Sequence, residues 1–126
     1  MARALNAPPG ILALALLFGA VGVTHFAAPQ FFDRIMPVWV PNARLATYVS
    51  GAAEITGALG LLVPATRVAA GWGLLALLVA VFPANINMLQ MARASGAPTA
   101  YVAALWMRLP LQPLLMWWVW RAAVRT

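Results

Sequence analysis

Four long apolar runs, roughly Gly10–Ala28, Leu45–Val63, Val68–Leu89 and Ala100–Trp120, take up most of a 126-residue chain. A helix rising 1.5 Å per residue needs about 20 mostly apolar residues to cross the hydrocarbon of a bilayer, and each run supplies them. Turn-forming residues separate the runs: Pro29, Pro37, Pro41 and Asn42, then Pro64-Ala-Thr-Arg67, then Ser95-Gly96-Ala97-Pro98. The chain is 64% hydrophobic and 8% charged. A soluble domain of this length leaves too much of its surface in water to hide such a composition, so the lipid bilayer is its solvent. The fold predicted is an all-α membrane protein: a four-transmembrane-helix bundle forming a single domain over residues 1–126. The first run lies behind Arg3 and has an alternative reading as a signal peptide. Its length and the lack of a small-x-small cleavage site after Val23 favour a retained span.

The first connection is richer than a loop. In Pro29-Gln-Phe-Phe-Asp-Arg-Ile-Met-Pro37, the apolar residues Phe31, Phe32, Ile35 and Met36 recur at helical spacing, with Asp33 and Arg34 between them and Trp39 following. The pattern predicts a short interfacial helix between the first and second spans, lying with its apolar face down. Hydrophobic side chains dipping into lipid are the expected arrangement, and a lid over a site between the helices is the alternative.

The net charge of +6 comes from eight Arg and no Lys against Asp33 and Glu54. Arg3, Arg34, Arg44, Arg67, Arg93 and Arg121 stand singly at the ends of apolar runs, with Arg125 close behind, where anionic headgroups attract cations. No basic cluster is available to neutralise successive phosphates, which argues against nucleic acid as a partner. Four spans place both termini on one side. Arg3, Arg67, Arg121 and Arg125 share that side against Arg34, Arg44 and Arg93 opposite, so both termini are expected in the cytoplasm. Trp72, Trp117, Trp118 and Trp120 mark that interface, and Trp39, Tyr48 and Tyr101 mark the other. The absence of Cys excludes thiolate metal sites and thiol relays. One His and six unplaced Met residues do not make a haem or zinc ligand set. Neither a Ser-His-acid arrangement nor a phosphate-binding glycine loop is present. No catalytic residue and no metal ligand is assigned, and the chain is not expected to be an enzyme on its own.

Polar groups within the runs ask for an explanation, because an unpaired ionisable group in lipid costs at least a few kcal/mol. Glu54 lies about ten residues into the second run, roughly 15 Å deep and near the midplane. Arg108 lies about eight residues into the fourth, roughly 12 Å from the non-cytoplasmic surface. His25, Asn85 and Asn87 end their runs on that same side. Thr47, Ser50, Glu54 and Gly57 form one stripe on the second helix, and Tyr101, Arg108 and Gln112 form another on the fourth. Asn85 and Asn87 differ by about 200° around a helix, so at most one of them faces the same centre. The candidate cluster is therefore His25, Ser50, Glu54, Asn85, Asn87, Arg108 and Gln112. A buried Glu54–Arg108 ion pair is expected at its heart, with Gln112 and Ser50 completing the hydrogen bonds. Such a cluster serves either as glue that sets helix register or as a binding or proton-handling site. Pro83, Pro110 and Pro113 free the carbonyls of Val79, Trp106 and Leu109 beside it.

The segments Ser50-Gly-Ala-Ala-Glu54-Ile-Thr-Gly57, Phe82-Pro-Ala-Asn85-Ile-Asn-Met88 and Arg108-Leu-Pro-Leu-Gln112, with His25-Phe26 ending the first run, resemble the DoxX family of small membrane proteins. The resemblance covers all four runs. It implies a four-helix bundle in the bacterial cytoplasmic (inner) membrane, with Glu54, Asn85, Arg108 and Gln112 at motif positions. The family takes its name from a subunit associated with quinone-linked sulfur oxidation, and other relatives are linked to oxidative stress or to receptor assembly.

The leading functional expectation is a non-catalytic bundle. It acts as an accessory or assembly subunit, in a homo-oligomer or with a partner membrane subunit, or it binds a small lipophilic ligand in an intramembrane polar pocket. The second is a subunit of a quinone-linked oxidoreductase, with Arg108 and His25 on the quinone oxygens beside Trp106. The third is a small proton-coupled transporter using Glu54. A quinone or a lipid is the only cofactor these readings call for.

Overall fold

The computed structural model describes residues 8–125, which form an all-α bundle. Expectations that rest on Arg3 lie outside these residues. The helices run α1 (Pro9–Ala27), α2 (Pro29–Asp33), α3 (Ala43–Leu62), α4 (Arg67–Ala94) and α5 (Thr99–Val119), and a π-helical turn over Trp120–Val124 carries the last one onward. α1, α3 and α4 are each long and apolar enough to cross a membrane, which makes this a multi-pass membrane protein. α5 has 21 residues, but Pro110 and Pro113 lie inside it and Arg108 and Gln112 interrupt its apolar run. It is not one of the three, so run length alone overstated how apolar this helix is.

Local chemistry accounts for the helix ends. Pro9 opens α1 at the first helical position, where a missing N–H costs nothing. The Asn42 side chain accepts from the Leu45 N–H at 3.0 Å and caps α3. The tight turn from α3 to α4 satisfies free carbonyls: the Thr66 hydroxyl donates to Gly60 and Arg67 Nε donates to Leu61, each at 2.8 Å. α4 ends where Gly96 takes φ of +69°. There the N–H of Ala97 reaches the Ala92 carbonyl and that of Gly96 reaches Arg93, the paired closure that a left-handed residue makes possible.

α4 extends five residues beyond the end of its apolar run, continuing past Leu89 to Ala94 for about 42 Å in all. Pro83 does not end it. A proline removes one helical hydrogen bond, and packing beyond it keeps the winding intact: Leu89 and Ala92 bury themselves against Leu105 of α5.

α1 packs on α3, α3 on α4, and α4 on α5, while the terminal turn touches both α4 and α1. Most of the apolar core lies at the end of the bundle where α1 begins and α5 finishes. It gathers Ile11, Leu14 and Phe18, Ala58 and Leu61, Leu74 and Leu78, and Val119 and Ala123. Gly71 leaves room for the terminal turn, since a Cβ there would lie 2.9 Å from both Ala123 and Val124. The outer surface is apolar: Leu16 is 74% exposed and Leu114 58%, as befits side chains that face lipid. Arginines ride over aromatic rings at both ends, Arg121 on Trp117 at 5.5 Å and Arg34 on Phe31 at 5.1 Å among them.

Candidate functional site

Opposite the apolar core, the bundle encloses a cavity of about 200 Å³. Its position follows from one crossing. Gly22 of α1 and Gly51 of α3 face each other so closely that a Cβ on either would lie 3.0 Å from the other's carbonyl oxygen. Each glycine precedes a polar residue by three positions, one helical turn on the same face. The crossing therefore brings His25 and Glu54 together, with His25 Nδ1 at 3.2 Å from Glu54 Oε2. That distance suits an ion pair but carries no hydrogen bond. The Nδ1 proton is directed at the Val21 carbonyl, 2.8 Å away. Glu54 Oε2 is thus buried and has no hydrogen-bond partner among the described residues.

The opposite wall is a directional chain. An Arg108 N–H donates to Asn85 Oδ1 at 3.4 Å, Asn85 Nδ2 donates to Gln112 Oε1 at 3.3 Å, and Gln112 Nε2 donates to the Leu78 carbonyl at 2.8 Å. The chain ties α5 to the stretch of α4 loosened by Pro83. Arg108 also points a second N–H at Met88 Sδ, 3.3 Å away. Both of its acceptors are neutral.

Six of the seven expected cluster residues line this cavity: His25, Ser50, Glu54, Asn85, Arg108 and Gln112. Asn87 does not. It faces away, donating to the Ile35 carbonyl at 2.8 Å, in keeping with the angle that separates it from Asn85. The expected Glu54–Arg108 ion pair is not formed. Arg108 is held by Asn85 and Met88 on the α4 side; among the described residues Glu54 instead lies against His25, a contact that is ionic only when the imidazole is protonated, and Asp33 pairs with Arg44. Thr47 and Gly57 leave the Ser50–Glu54 stripe as well: Thr47 bonds Asp33, and Gly57 packs on Leu74. Tyr101 lies near Phe31 and Arg34, away from Arg108's cavity. Trp106 points outward under Arg93, at 5.9 Å, and does not line the cavity.

The connection after α1 divides its hydrophobic residues between two directions. Phe31, Val38 and Trp39 are exposed, whereas Phe32, Ile35 and Met36 turn inward and roof the cavity. The Phe32 ring stacks on His25 with centroids 3.7 Å apart. Asp33 latches this roof to α3, accepting from the Thr47 hydroxyl and from Arg44 Nε, each at 2.6 Å. The arrangement expected from spacing, with all four apolar residues on one lipid-facing side, is corrected here: a five-residue helix pinned by Asp33 and Asn87 must present Phe32 inward.

The Thr47 hydroxyl, seconded by Arg44, holds the Asp33 carboxyl below the usual carboxylate value of 3.8. A depressed value means the latch is complete above that ordinary value and is lost as pH falls through the lower, folded one. The roof is therefore expected to stay closed throughout the neutral range and to loosen only below about pH 4. Hydrogen exchange at Arg34, Ile35 and Met36 checks this: protection should fall in acid in the native protein and be weak at all pH values in Asp33→Ala.

One side of the cavity is open. α1 and α5 pack little against each other, meeting near the end where α1 begins and the terminal turn closes on it. Leu17 of α1 and Arg108 of α5 both line the cavity, and both are exposed. Leu115 lines it too and continues into an apolar groove on α5 formed with Leu111, Leu114, Trp117 and Trp118.

Residues 14–123 match a family described as a domain of unknown function, DUF8561, and the chain belongs to that family. No curated protein and no solved structure matches it.

Proposed function

We propose that this DUF8561 member is a non-catalytic bundle of four membrane spans that holds a small lipophilic ligand in its intramembrane polar pocket, as an accessory or assembly subunit of the bacterial cytoplasmic membrane. The observation that carries this reading is the roofed cavity, lined by a few polar groups and bordered by the exposed Leu17 of α1 and Arg108 of α5. Pockets for small ligands are mostly apolar, with a few convergent polar groups that fix orientation, and this one has that composition. α5 is the fourth span. Arg108 and Gln112 line the cavity beside α4, while Trp106, Leu111, Leu114 and Trp117 face outward. The short α2 then lies at the non-cytoplasmic interface, and both termini lie in the cytoplasm. The likeness of the Ser50–Gly57, Phe82–Met88 and Arg108–Gln112 segments to the DoxX family supports the same assignment.

Native mass spectrometry after gentle solubilisation tests the proposal. The expected result is a protein carrying a small amphiphile near one to one. Leu17→Trp, which narrows the mouth at an exposed position, should lose it. A bare native protein would overturn the reading.

A second reading, a subunit of a quinone-linked oxidoreductase, is favoured by one observation: His25 and Arg108 face the same cavity. Quinone that co-purifies and disappears in Arg108→Ala would support it, and unchanged quinone content would exclude it.

A further inference from the structure

The two walls of the cavity ask for opposite things. On the α3 side, Glu54 Oε2 is a buried acceptor without a donor among the described residues. A buried oxygen left without a hydrogen bond is destabilising, more so where it carries charge. On the α5 side, Arg108 has five N–H groups, and the structure shows two of them engaged, both with neutral acceptors. Neither group answers the other, since they do not pair across the cavity. Ser50 lines the same cavity, one turn from Glu54 on α3. The cavity also has one exit that suits a chain: past Leu17 and Arg108, along Leu115 and into the groove of Leu111 and Leu114.

We propose that the cavity takes the head of a zwitterionic amphiphile, an anionic phosphate seated on Arg108 and a primary ammonium donating to Glu54, with the acyl tail leaving between α1 and α5. The inference rests on the reading of the cavity as a ligand pocket and specifies its ligand. A planar guanidinium is suited to two parallel hydrogen bonds with a phosphate. A primary ammonium supplies the N–H that Glu54 lacks, and a quaternary ammonium has none to supply. The two ends of such a head stand in the opposite order to the charges of the walls. The ligand therefore neutralises each wall locally, without the direct Glu54–Arg108 pair that the structure does not make. The Phe32 roof closes over the Glu54 end, where water would otherwise compete for the carboxyl.

The test uses the whole protein in detergent, offered in turn phosphatidylethanolamine, its N-monomethyl and N,N-dimethyl forms, and phosphatidylcholine, with retention read by native mass spectrometry. All four share the phosphate and the tails and differ in N–H donors. Retention is expected to step down along the series. Phosphatidylethanolamine should be held about tenfold more tightly than phosphatidylcholine, the worth of one charge-assisted hydrogen bond. Glu54→Gln should bring that ratio close to one, and Arg108→Gln should weaken all four lipids together. Equal retention of the four by the native protein would overturn the ammonium–Glu54 contact, and with it the proposed head, and leave the pocket standing. Retention of none would overturn the pocket as well. The lipid series on the native protein decides the matter even if a variant does not fold.

Discussion

Gly51→Ala is expected to lower the melting temperature by on the order of 5–10 °C, while Gly73→Ala leaves it unchanged or raises it slightly. Both glycines are in helix interiors, so propensity alone favours alanine at each by up to about 1 kcal/mol. Their surroundings reverse the sign at one. A Cβ at Gly51 would lie 2.6 Å from His25 Cβ and 3.0 Å from both the Gly22 carbonyl and the Phe26 ring. Two of these obstacles are backbone or the root of a side chain, which no rotamer change removes, so α1 and α3 must move apart. Overpacking of that kind costs about 1–3 kcal/mol. Gly73 has nothing within 4 Å of its would-be Cβ. Thermal unfolding in one detergent, followed by circular dichroism, measures the pair. Gly51→Ala should also lose bound ligand, because separating the helices separates His25 from Glu54. An unchanged melting temperature in Gly51→Ala would mean that the crossing is not what positions the site.

That crossing shows where sequence reading reaches and where it stops. Helical spacing put Ser50 and Glu54 on one face and placed Asn85 and Asn87 on different ones, and the structure sets Asn85 in the cavity and Asn87 on Ile35. Both follow from 100° per residue, a property of one helix alone. The partner of Glu54 was not legible in the same way. Charge and depth singled out Arg108, yet rotation of α5 about its axis is set by contacts with α4, and these turn Arg108 to Asn85 and Met88. A usable signal was present in Gly22-x-x-His25 and Gly51-x-x-Glu54. A small residue one turn before a polar one, on two helices, marks a close crossing with polar groups beside it. The inward turn of Phe32 and the continuation of α4 beyond Leu89 depended on tertiary ties, the Asp33 latch and the Leu89–Leu105 contact, which no local pattern encodes.

Gln112→Leu is expected to destabilise the bundle by about 1–3 kcal/mol, although leucine is the commoner residue in such a helix and matches glutamine in size. The substitution removes two interhelical hydrogen bonds at once, one to the Leu78 carbonyl at 2.8 Å and one from Asn85 at 3.3 Å. Measured bonds of this class in membrane proteins are worth about 0.6 kcal/mol on average and up to about 1.7. The unfolded chain in lipid finds other partners, which keeps each value small. Two features push this case toward the upper end. The Leu78 carbonyl lies one residue before the Val79 carbonyl that Pro83 frees, in a turn that has lost one helical hydrogen bond. Asn85, once released, no longer presents its oxygen to Arg108 in a fixed direction. The effects of Asn85→Ala and Gln112→Leu should therefore fall short of additivity, since either breaks the same chain. Asn87→Leu offers the contrast, two positions away on α4. It cuts the tie to Ile35 in the roof and should leave the stability of the α4–α5 pair within about 0.5 kcal/mol of the native value. A double-mutant cycle in a single detergent separates these outcomes. Strict additivity of the first pair would mean that Arg108, Asn85 and Gln112 act as separate contacts, and Arg108 would then have no fixed direction in which to meet a phosphate.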